Sequence, residues 1–314
     1  MSELKKIHAL ITGVNGFLGQ ALSQSLVRAG IRVTGFDIHN SSANSLKELQ
    51  YLKVDILDFN QLLTAIHQFS PDDVVVFHLA GQSNIGKSRT EPMSTWSINV
   101  TGTAHLLEAC RRAAIHKIIF PSTALVYARP APLPFVETDA TLADSVYVST
   151  KLASEVLMKG YAIDFGFACR IARLGNVYGP GGKADSVVQI VLQQIKNGGP
   201  ITIGTLSPVR DFVYRDDVIS GLIAMALHTD DSSSYEIFNL SSGVPTSIRE
   251  LVETACRVGC LETSIEETEP DSPGANDKLV VSTQRLTKQT GWQPAWNLEE
   301  GLRQTLAELE IKSK

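Results

Sequence analysis

His8-Ala9-Leu10-Ile11-Thr12-Gly13-Val14-Asn15-Gly16-Phe17-Leu18-Gly19 is the stretch whose reading decides the fold. Five residues of strand character run directly into glycines at 13, 16 and 19, and these open onto helical apolar spacing over Leu18 to Ala29. A strand, a glycine turn and a helix N-terminus in that order suit a pyrophosphate. The glycines permit a tight turn and close approach of the backbone, and the helix end offers N–H groups and a positive dipole. Its position carries more weight than the pattern, because glycines also mark ordinary turns.

Outward from that stretch, apolar runs recur at Arg32 to Phe36, Val74 to Leu79, Lys117 to Pro121 and Cys169 to Leu174. Helical spacing separates them over Asn60 to His67, Ile98 to Ala114 and Tyr147 to Asp164. Strands alternating with helices imply right-handed crossovers and a parallel sheet. After Gly179-Pro180-Gly181-Gly182 the rhythm breaks into shorter pieces: a helix at Ser186 to Asn197, a strand at Pro200 to Ile203 and a helix at Ile248 to Val258. Asp216 to Leu227 and Glu236 to Leu240 then read again as helix and strand. The expected fold class is α/β, a Rossmann-type doubly wound parallel sheet with a smaller α/β C-terminal substrate lobe. Residues 1–180 form the expected dinucleotide-binding domain, with 212–242 returning to it, and 181–211 and 243–314 form the lobe.

The second strand ends in Asp37, where a carboxylate accepts hydrogen bonds from ribose hydroxyls and repels a 2′-phosphate. Only Ile38, His39 and Asn40 follow it, with no arginine, so the expected cofactor is NAD and not NADP. A solvated loop aspartate is the alternative. Asp55, in Lys53-Val54-Asp55-Ile56, either reaches an adenine from the end of a third strand or caps the helix beginning near Asp58. Leu79-Ala80-Gly81 closes the apolar run from Val74 and belongs at the carboxyl edge of the sheet beside the cofactor. His78 reads as a packed structural histidine.

Tyr147 and Lys151 lie four residues apart and hence on one helical face. A free phenol near pKa ~10 is a poor base at neutral pH, and a neighbouring cation favours its ionised form. Such a pair equally describes an amphipathic helix with a snorkelling lysine. Ser122-Thr123 ends a strand one crossover earlier, at the same sheet edge, and brings a hydroxyl to the reacting oxygen. These groups together polarise a carbonyl or accept an alcohol proton while a nicotinamide exchanges hydride.

The glycine loop, Asp37, Ser122-Thr123, the Tyr147/Lys151 pair and Arg173-Leu174-Gly175-Asn176-Val177-Tyr178-Gly179-Pro180 together resemble the extended short-chain dehydrogenase/reductases, particularly nucleotide-sugar epimerases and reductases. The resemblance extends to Ser88, to Ile98-Asn99-Val100-Thr101-Gly102, to Pro208-Val209-Arg210-Asp211-Phe212-Val213-Tyr214 and to Gly291-Trp292-Gln293-Pro294. It implies Thr123, Tyr147 and Lys151 as catalytic. It implies Gly13, Asn15, Gly16, Phe17, Leu18, Gly19, Asp37, Asp55, Ile56, Leu79, Ala80, Gly81, Asn99, Tyr147 and Lys151 at NAD. Gln82, Ser88, Thr123, Asn176 and Arg210 are then expected at the substrate, Asn176 and Arg210 on its diphosphate. Without the resemblance Arg210 reads as a surface partner of Asp211, and Asn176 as a loop amide.

Dehydratases of the group place an acidic pair after the active-site threonine, where this chain has Ala124 and Leu125. Epimerases and keto-reductases need no such pair, and Asp37 leans towards an epimerase that recycles bound NAD at a sugar carbon, C4 being the expected one. A 4-keto-reductase using NAD(P) and a sugar or sugar-acid dehydrogenase stay open, as does a non-enzymatic dinucleotide-sensing scaffold. Ser272, in Asp271-Ser272-Pro273-Gly274, stands where the group often carries a second phosphate-binding arginine, which keeps an unactivated sugar in view.

The 314 residues, 43% hydrophobic and 19% charged with a net charge of -5, present no field for nucleic acid. Cys110, Cys169, Cys256 and Cys260 read as reduced thiols, and no histidine stands near the last two to complete a metal site. No apolar run approaches a membrane span, and Ala9-Leu10-Ile11 is too brief for a signal segment, so the expected location is cytoplasmic. The resemblance implies a homodimer packed through the helices Ile98 to Ala114 and Tyr147 to Asp164. Leu106, Leu107, Cys110, Leu152, Val156 and Leu157 belong either to that interface or to the internal core.

Overall fold

The structure, a computed structural model, describes residues 7–43, 46–228, 234–272 and 274–311. The first six residues of the expected first domain, and Pro273 of the quoted turn, lie outside the described residues. The chain divides into two compact units: Met1–Val126, Thr141–Arg173 and Leu222–Phe238 form one, and Tyr127–Ala140, Leu174–Gly221 and Asn239–Lys314 the other.

In the first unit the alternation expected from the apolar runs is realised. Strands β1 (His8–Thr12), β2 (Arg32–Asp37), β3 (Leu49–Lys53), β4 (Val74–His78), β5 (Lys117–Thr123), β6 (Ala168–Leu174) and β10 (Tyr235–Leu240) stand in the order β10-β6-β5-β4-β1-β2-β3. This seven-stranded sheet is parallel. β1 pairs with β2 from His8↔Arg32 to Thr12↔Phe36, and with β4 from His8↔Val74 to Thr12↔His78. The strand order reverses between β1 and β4, and a doubly wound sheet binds its ligand at the carboxyl ends of such strands. β5 runs on through Pro121 to Thr123. It can do so because its ladder with β4 ends at Phe77↔Ile119, before the residue that cannot donate.

The helices are α1 (Phe17–Arg28), α2 (Phe59–Ile66), α3 (Ile85–Thr90), α4 (Pro92–Trp96), α5 (Gly102–Arg112) and α6 (Val146–Phe165), with a π turn over Ser97–Thr101. Asp58 caps α2 by accepting from Gln61 N–H, and Ser145 does the same for α6 from Val148 N–H. Gly166 ends α6 in the left-handed region at φ 69°. Leu106, Leu107 and Cys110 are fully buried, packed with Leu62 and Ile66 of α2, Val76 of β4 and Met158 of α6. Those three therefore belong to the internal core. Leu152 and Leu157 are partly buried against core residues, whereas Val156 is 70% and Ile163 69% exposed.

The second unit is built on β7 (Asn176–Tyr178), β9 (Val209–Tyr214) and β11 (Pro245–Ser247), in the order β11-β9-β7, and on the pair β8 (Ile201–Ile203) and β12 (Ile265–Glu267). Around them lie α7 (Val187–Asn197), α9 (Ile248–Val258), α10 (Gln284–Thr290) and α11 (Leu298–Ile311). Ser247 and Glu250 form a reciprocal capping box at the start of α9. A core of Val191, Leu192, Ile201, Leu251, Val252 and Leu302 holds this unit.

α8 (Arg215–Leu227) and β10 carry the chain back to the first unit from Leu222, ten residues later than expected. Residues 127–140 and 174–180, expected in the dinucleotide domain, cluster with the second unit. The isolated pairing of Phe135 with Val281 and the hydrogen bond from Tyr127 to Asn239 show why: their partners are remote in sequence. No described helix is long and apolar enough to cross a membrane.

Leu107 is fully buried in the first core, so Leu107→Ala should lower unfolding stability by about 2–5 kcal/mol. Chemical denaturation followed by circular dichroism measures this, and a midpoint equal to that of the parent protein would contradict the assignment.

Candidate active site

At the carboxyl ends of β1 to β4 the first unit holds a cavity of about 360 Å3. Its floor is the turn after β1, where Gly13 sits at φ 69° and donates its N–H to Phe36 O at 2.8 Å. A Cβ at position 13 would stand 2.7 Å from Ala80 N, and one at Gly19 would strike Gly13 O. Backbone therefore meets backbone without side chains between, and Gly16, as the N-cap of α1, adds no side-chain acceptor there. The turn, bare of side chains at Gly13 and Gly16 and leading into the N-terminus of α1, fits the pyrophosphate of a dinucleotide.

Gly13, Asn15, Gly16, Asp37, Asp55, Ile56, Leu79, Ala80 and Gly81 all line this cavity, together with Gln82, expected instead at the substrate. Phe17, Leu18, Gly19, Asn99, Tyr147 and Lys151 do not line it. The sequence reading missed Phe36, Ile38, His39, Val54, Leu57 and Ile98 as lining residues. Apolar residues at strand ends carry no local signal that separates a cavity wall from core.

Asp37 is nearly buried and accepts from Asn15 N–H at 3.0 Å, while its second oxygen meets His39 Nδ1 at 2.5 Å. The carboxylate is thus held at the tip of β2, facing the cavity and not loose in solvent. Asn15 also ties down the following loop, donating to Ser41 O and accepting from Ala43 N–H at 2.7 Å. Asp58, not Asp55, caps the helix, and Asp55 accepts from Leu57 N–H at 2.8 Å while lining the cavity.

Asn99, in the π turn, clamps the far wall. Its side chain accepts from Gln82 N–H at 2.7 Å and donates to Gln82 O at 3.0 Å and to Thr150 Oγ1 at 2.9 Å. It therefore acts on the cavity by fixing Gly81 and Gln82 to α6. His78 is buried between Thr12 Oγ1 and Thr103 Oγ1, at 2.8 and 2.9 Å, and burial pushes its imidazole down to about 3, so it stays neutral. Ser88, expected at the substrate, is buried with its hydroxyl donating to Ile85 O at 2.7 Å inside α3.

Thr123, Tyr147 and Lys151, the residues expected to react, lie on β5 and α6. Tyr147 and Thr123 are hydrogen-bonded, and Tyr147 packs with Val126 and Val148. Lys151 Nζ lies 4.1 Å from the centre of the Phe120 ring. Sequence reasoning has Lys151 drawing the phenol down, but burial dominates, pushing Tyr147 up to about 12 with the Thr123 hydrogen bond opposing it. Burial likewise pushes Lys151 down to about 8, and the Glu155 carboxylate resists that shift. Position 124 is a buried alanine and 125 a leucine packed beside Tyr147, so neither residue after Thr123 is an acid.

In the second unit, Arg210 does not pair with its neighbour Asp211. Asp211 is buried and accepts from Ser242 and Gly243 N–H and from Val281 N–H. Arg210 instead donates to Val209 O, to Asp277 O and to the Asp277 carboxylate at 2.9 Å, which also receives Arg129 at 2.8 Å. Arg129 and Asp277, 148 residues apart, carry no sequence signal of this meeting. Asn176 pairs with Phe212 across β7 and β9, on the rung two residues beyond Arg210. Ser272, half-buried, donates its N–H to Glu269 O and accepts from Ala275 N–H in a turn.

The chain is 31% identical over 321 residues to the UDP-glucose 4-epimerase of Mycolicibacterium smegmatis, covering 98% of this chain and 100% of that one. Among solved structures, the UDP-glucose 4-epimerase of Thermotoga maritima with UDP-glucose superposes with a TM-score of 0.90 at 26% identity, over 98% of this chain and 100% of that one. The Thermus thermophilus UDP-glucose 4-epimerase in complex with NAD gives 0.85 at 27% identity, over 97% and 99%. The profile of one family matches residues 9–241, which include the glycine cradle, Asp37, Thr123, Tyr147 and Lys151. This chain, an NAD-dependent enzyme, belongs to the NAD dependent epimerase/dehydratase family.

Proposed function

We propose that the chain is a UDP-hexose 4-epimerase. The observation that carries this reading is the bond of Tyr147 to Thr123 at the end of β5, with Lys151 over Phe120 of the same strand and Ala124 and Leu125 in place of an acid that would drive loss of water. Two UDP-glucose 4-epimerases of the same fold, one solved with UDP-glucose and one with NAD, support the substrate class.

NAD, when bound, supplies a reversible acceptor for the hydride on the sugar carbon, so that a hydroxyl is oxidised to a ketone and re-reduced from the opposite face. The chain itself manages the proton. Tyr147 accepts it from the sugar hydroxyl and gives it back, with the Thr123 hydroxyl bonded to the same oxygen centre. Lys151, one turn along α6, offers the positive charge that favours the phenolate in a buried setting. Asp37 holds the ribose end and disfavours a 2′-phosphate, and the cradle at Gly13 and Gly16 takes the pyrophosphate. In the second unit, Arg210 and Asn176 are assigned to the nucleotide diphosphate, Arg210 by its planar fork.

The homodimer belongs to this proposal too. The exposed Val156 and Ile163, seven residues apart and so on one face of α6, form an apolar strip that a second copy would cover. The buried free cysteines and the absence of a membrane-length helix among the described residues support a cytoplasmic enzyme.

The purified protein mixed with UDP-glucose, without added cofactor, should produce UDP-galactose by NMR, and Tyr147→Phe should lower kcat by at least about 100-fold. No epimer despite bound NAD, or full turnover in Tyr147→Phe, would reject the reading. Because Lys151 loses its proton near 8, kcat should fall as pH rises through about 8. A flat profile to pH 10 would place the cation's role elsewhere. Ile163→Glu should shift sedimentation from dimer to monomer, and a monomeric parent protein would refute the interface.

A further inference from the structure

Glu155 stands one helical turn beyond Lys151, on the face of α6 that carries Tyr147, and it is 3% exposed. Two groups lock its carboxylate. The Ser122 hydroxyl donates to Oε1 at 2.5 Å, and Arg173 of β6 donates to Oε2 at 2.8 Å and to Oε1 at 3.3 Å. Arg173 is itself buried. Ser122 directly precedes Thr123, so this carboxylate holds the end of β5 that presents the reacting hydroxyl.

We propose that Glu155 is a positioning residue for the reaction, fixing the Ser122-Thr123 end of β5 and setting a buried carboxylate one helical turn from Lys151. The proposal rests on Thr123, Tyr147 and Lys151 being the reacting groups. A buried ion pair alone is weak evidence for stability, because desolvation offsets most of its attraction. What distinguishes this pair is its place: its hydroxyl partner adjoins one reacting group and its own backbone is four residues from another.

The groups that face this end of α6 are few. From β4 comes neutral His78, from β6 Arg173, from β10 Tyr235, whose phenol burial and the Glu155 carboxylate push up, from β5 the uncharged Ser122 and Thr123, and from the π turn the amide Asn99, which bonds Thr150. On α6 itself lie Tyr147 and Glu155. The charges of α5 sit at the far end, where Arg111 lies over Phe165 and both Arg111 and Arg112 bind Glu108. The Lys87–Glu91 pair of α3 is half exposed. Glu155 is the carboxylate whose charge acts on Lys151.

The test is an NMR titration of 15N-labelled lysine side chains in the holoenzyme, with Lys151 assigned by the signal lost in Lys151→Met. In Glu155→Gln, which keeps the shape and one acceptor oxygen but removes the charge, the Lys151 midpoint should fall by about one pH unit, and the alkaline limb of kcat should move down with it. A midpoint and limb unchanged from the parent would overturn the proposal. The titration needs no turnover, so a parent protein inactive on UDP-hexoses would reject the function while leaving this outcome readable. Glu155→Gln with Arg173→Met removes the orphaned guanidinium if the single variant does not fold, and a downward shift smaller than that of the single variant is expected, because a cation leaves with the carboxylate; an unchanged midpoint would again overturn the proposal. Ser122→Ala orphans no charge and should lower kcat about fivefold at unchanged KM, with Ser122→Thr restoring it. Parent-level kcat in Ser122→Ala would overturn the positioning of β5.

Discussion

The contact on which the dinucleotide site depends is that of the Gly13 backbone with Ala80. β1 and β4 are neighbours at the point where the strand order reverses, and the chain leaves each of them in a turn. Those turns lie against one another only because position 13 lacks a Cβ, which would come within 2.7 Å of Ala80 N. Close-packed interiors leave no slack for an added methyl at such a place. The same approach brings the start of α1, the end of β4 and the carboxylate at the tip of β2 around one cavity. Asn99 completes the arrangement from behind by gripping both backbone groups of Gln82.

The polar groups buried beside this cavity are satisfied by one another. His78, neutral between two threonines, links β1 to α5, and Thr103 passes the chain on to Asn99 O. Buried polar groups left unpaired would cost about 1–3 kcal/mol each, so a fully bonded set rigidifies the walls. Lys151 is the exception in kind: it is a half-buried cation over an aromatic ring, pushed down towards neutral pH by desolvation. A lysine in that state gains or loses its charge near pH 8. The neighbouring carboxylate of Glu155 and the phenol of Tyr147 therefore share an electrostatic environment that burial makes strong.

Features legible in the sequence were those encoded over short spans. The glycine turn follows its strand within a residue, Asp37 ends the next strand, and Tyr147 and Lys151 share a helical face by spacing alone. Helix ends were readable to within a few residues where a cap exists, as at Ser186 for α7 and Gly166 for α6. The expected helix Ile98 to Ala114 was not uniform, because Ser97–Thr101 adopts a π turn that carries Asn99 to the cavity wall. Nothing in Ser-Ile-Asn-Val-Thr distinguishes that turn from an α-helical one.

The amino-acid sequence by itself determined the alternation of strand and helix, the cradle for a dinucleotide, the preference for NAD and the tyrosine–lysine pair, because period and adjacency are local properties of a chain. Only the tertiary structure decided that Arg210 turns to Asp277 and Arg129 and away from Asp211, that Ser88 is an internal helix contact, and that Glu155 joins Ser122 to Arg173. Those pairings join segments 18 to 148 residues apart or depend on which face of an element is buried. Their energies come from desolvation and packing, which exist only once the elements have met.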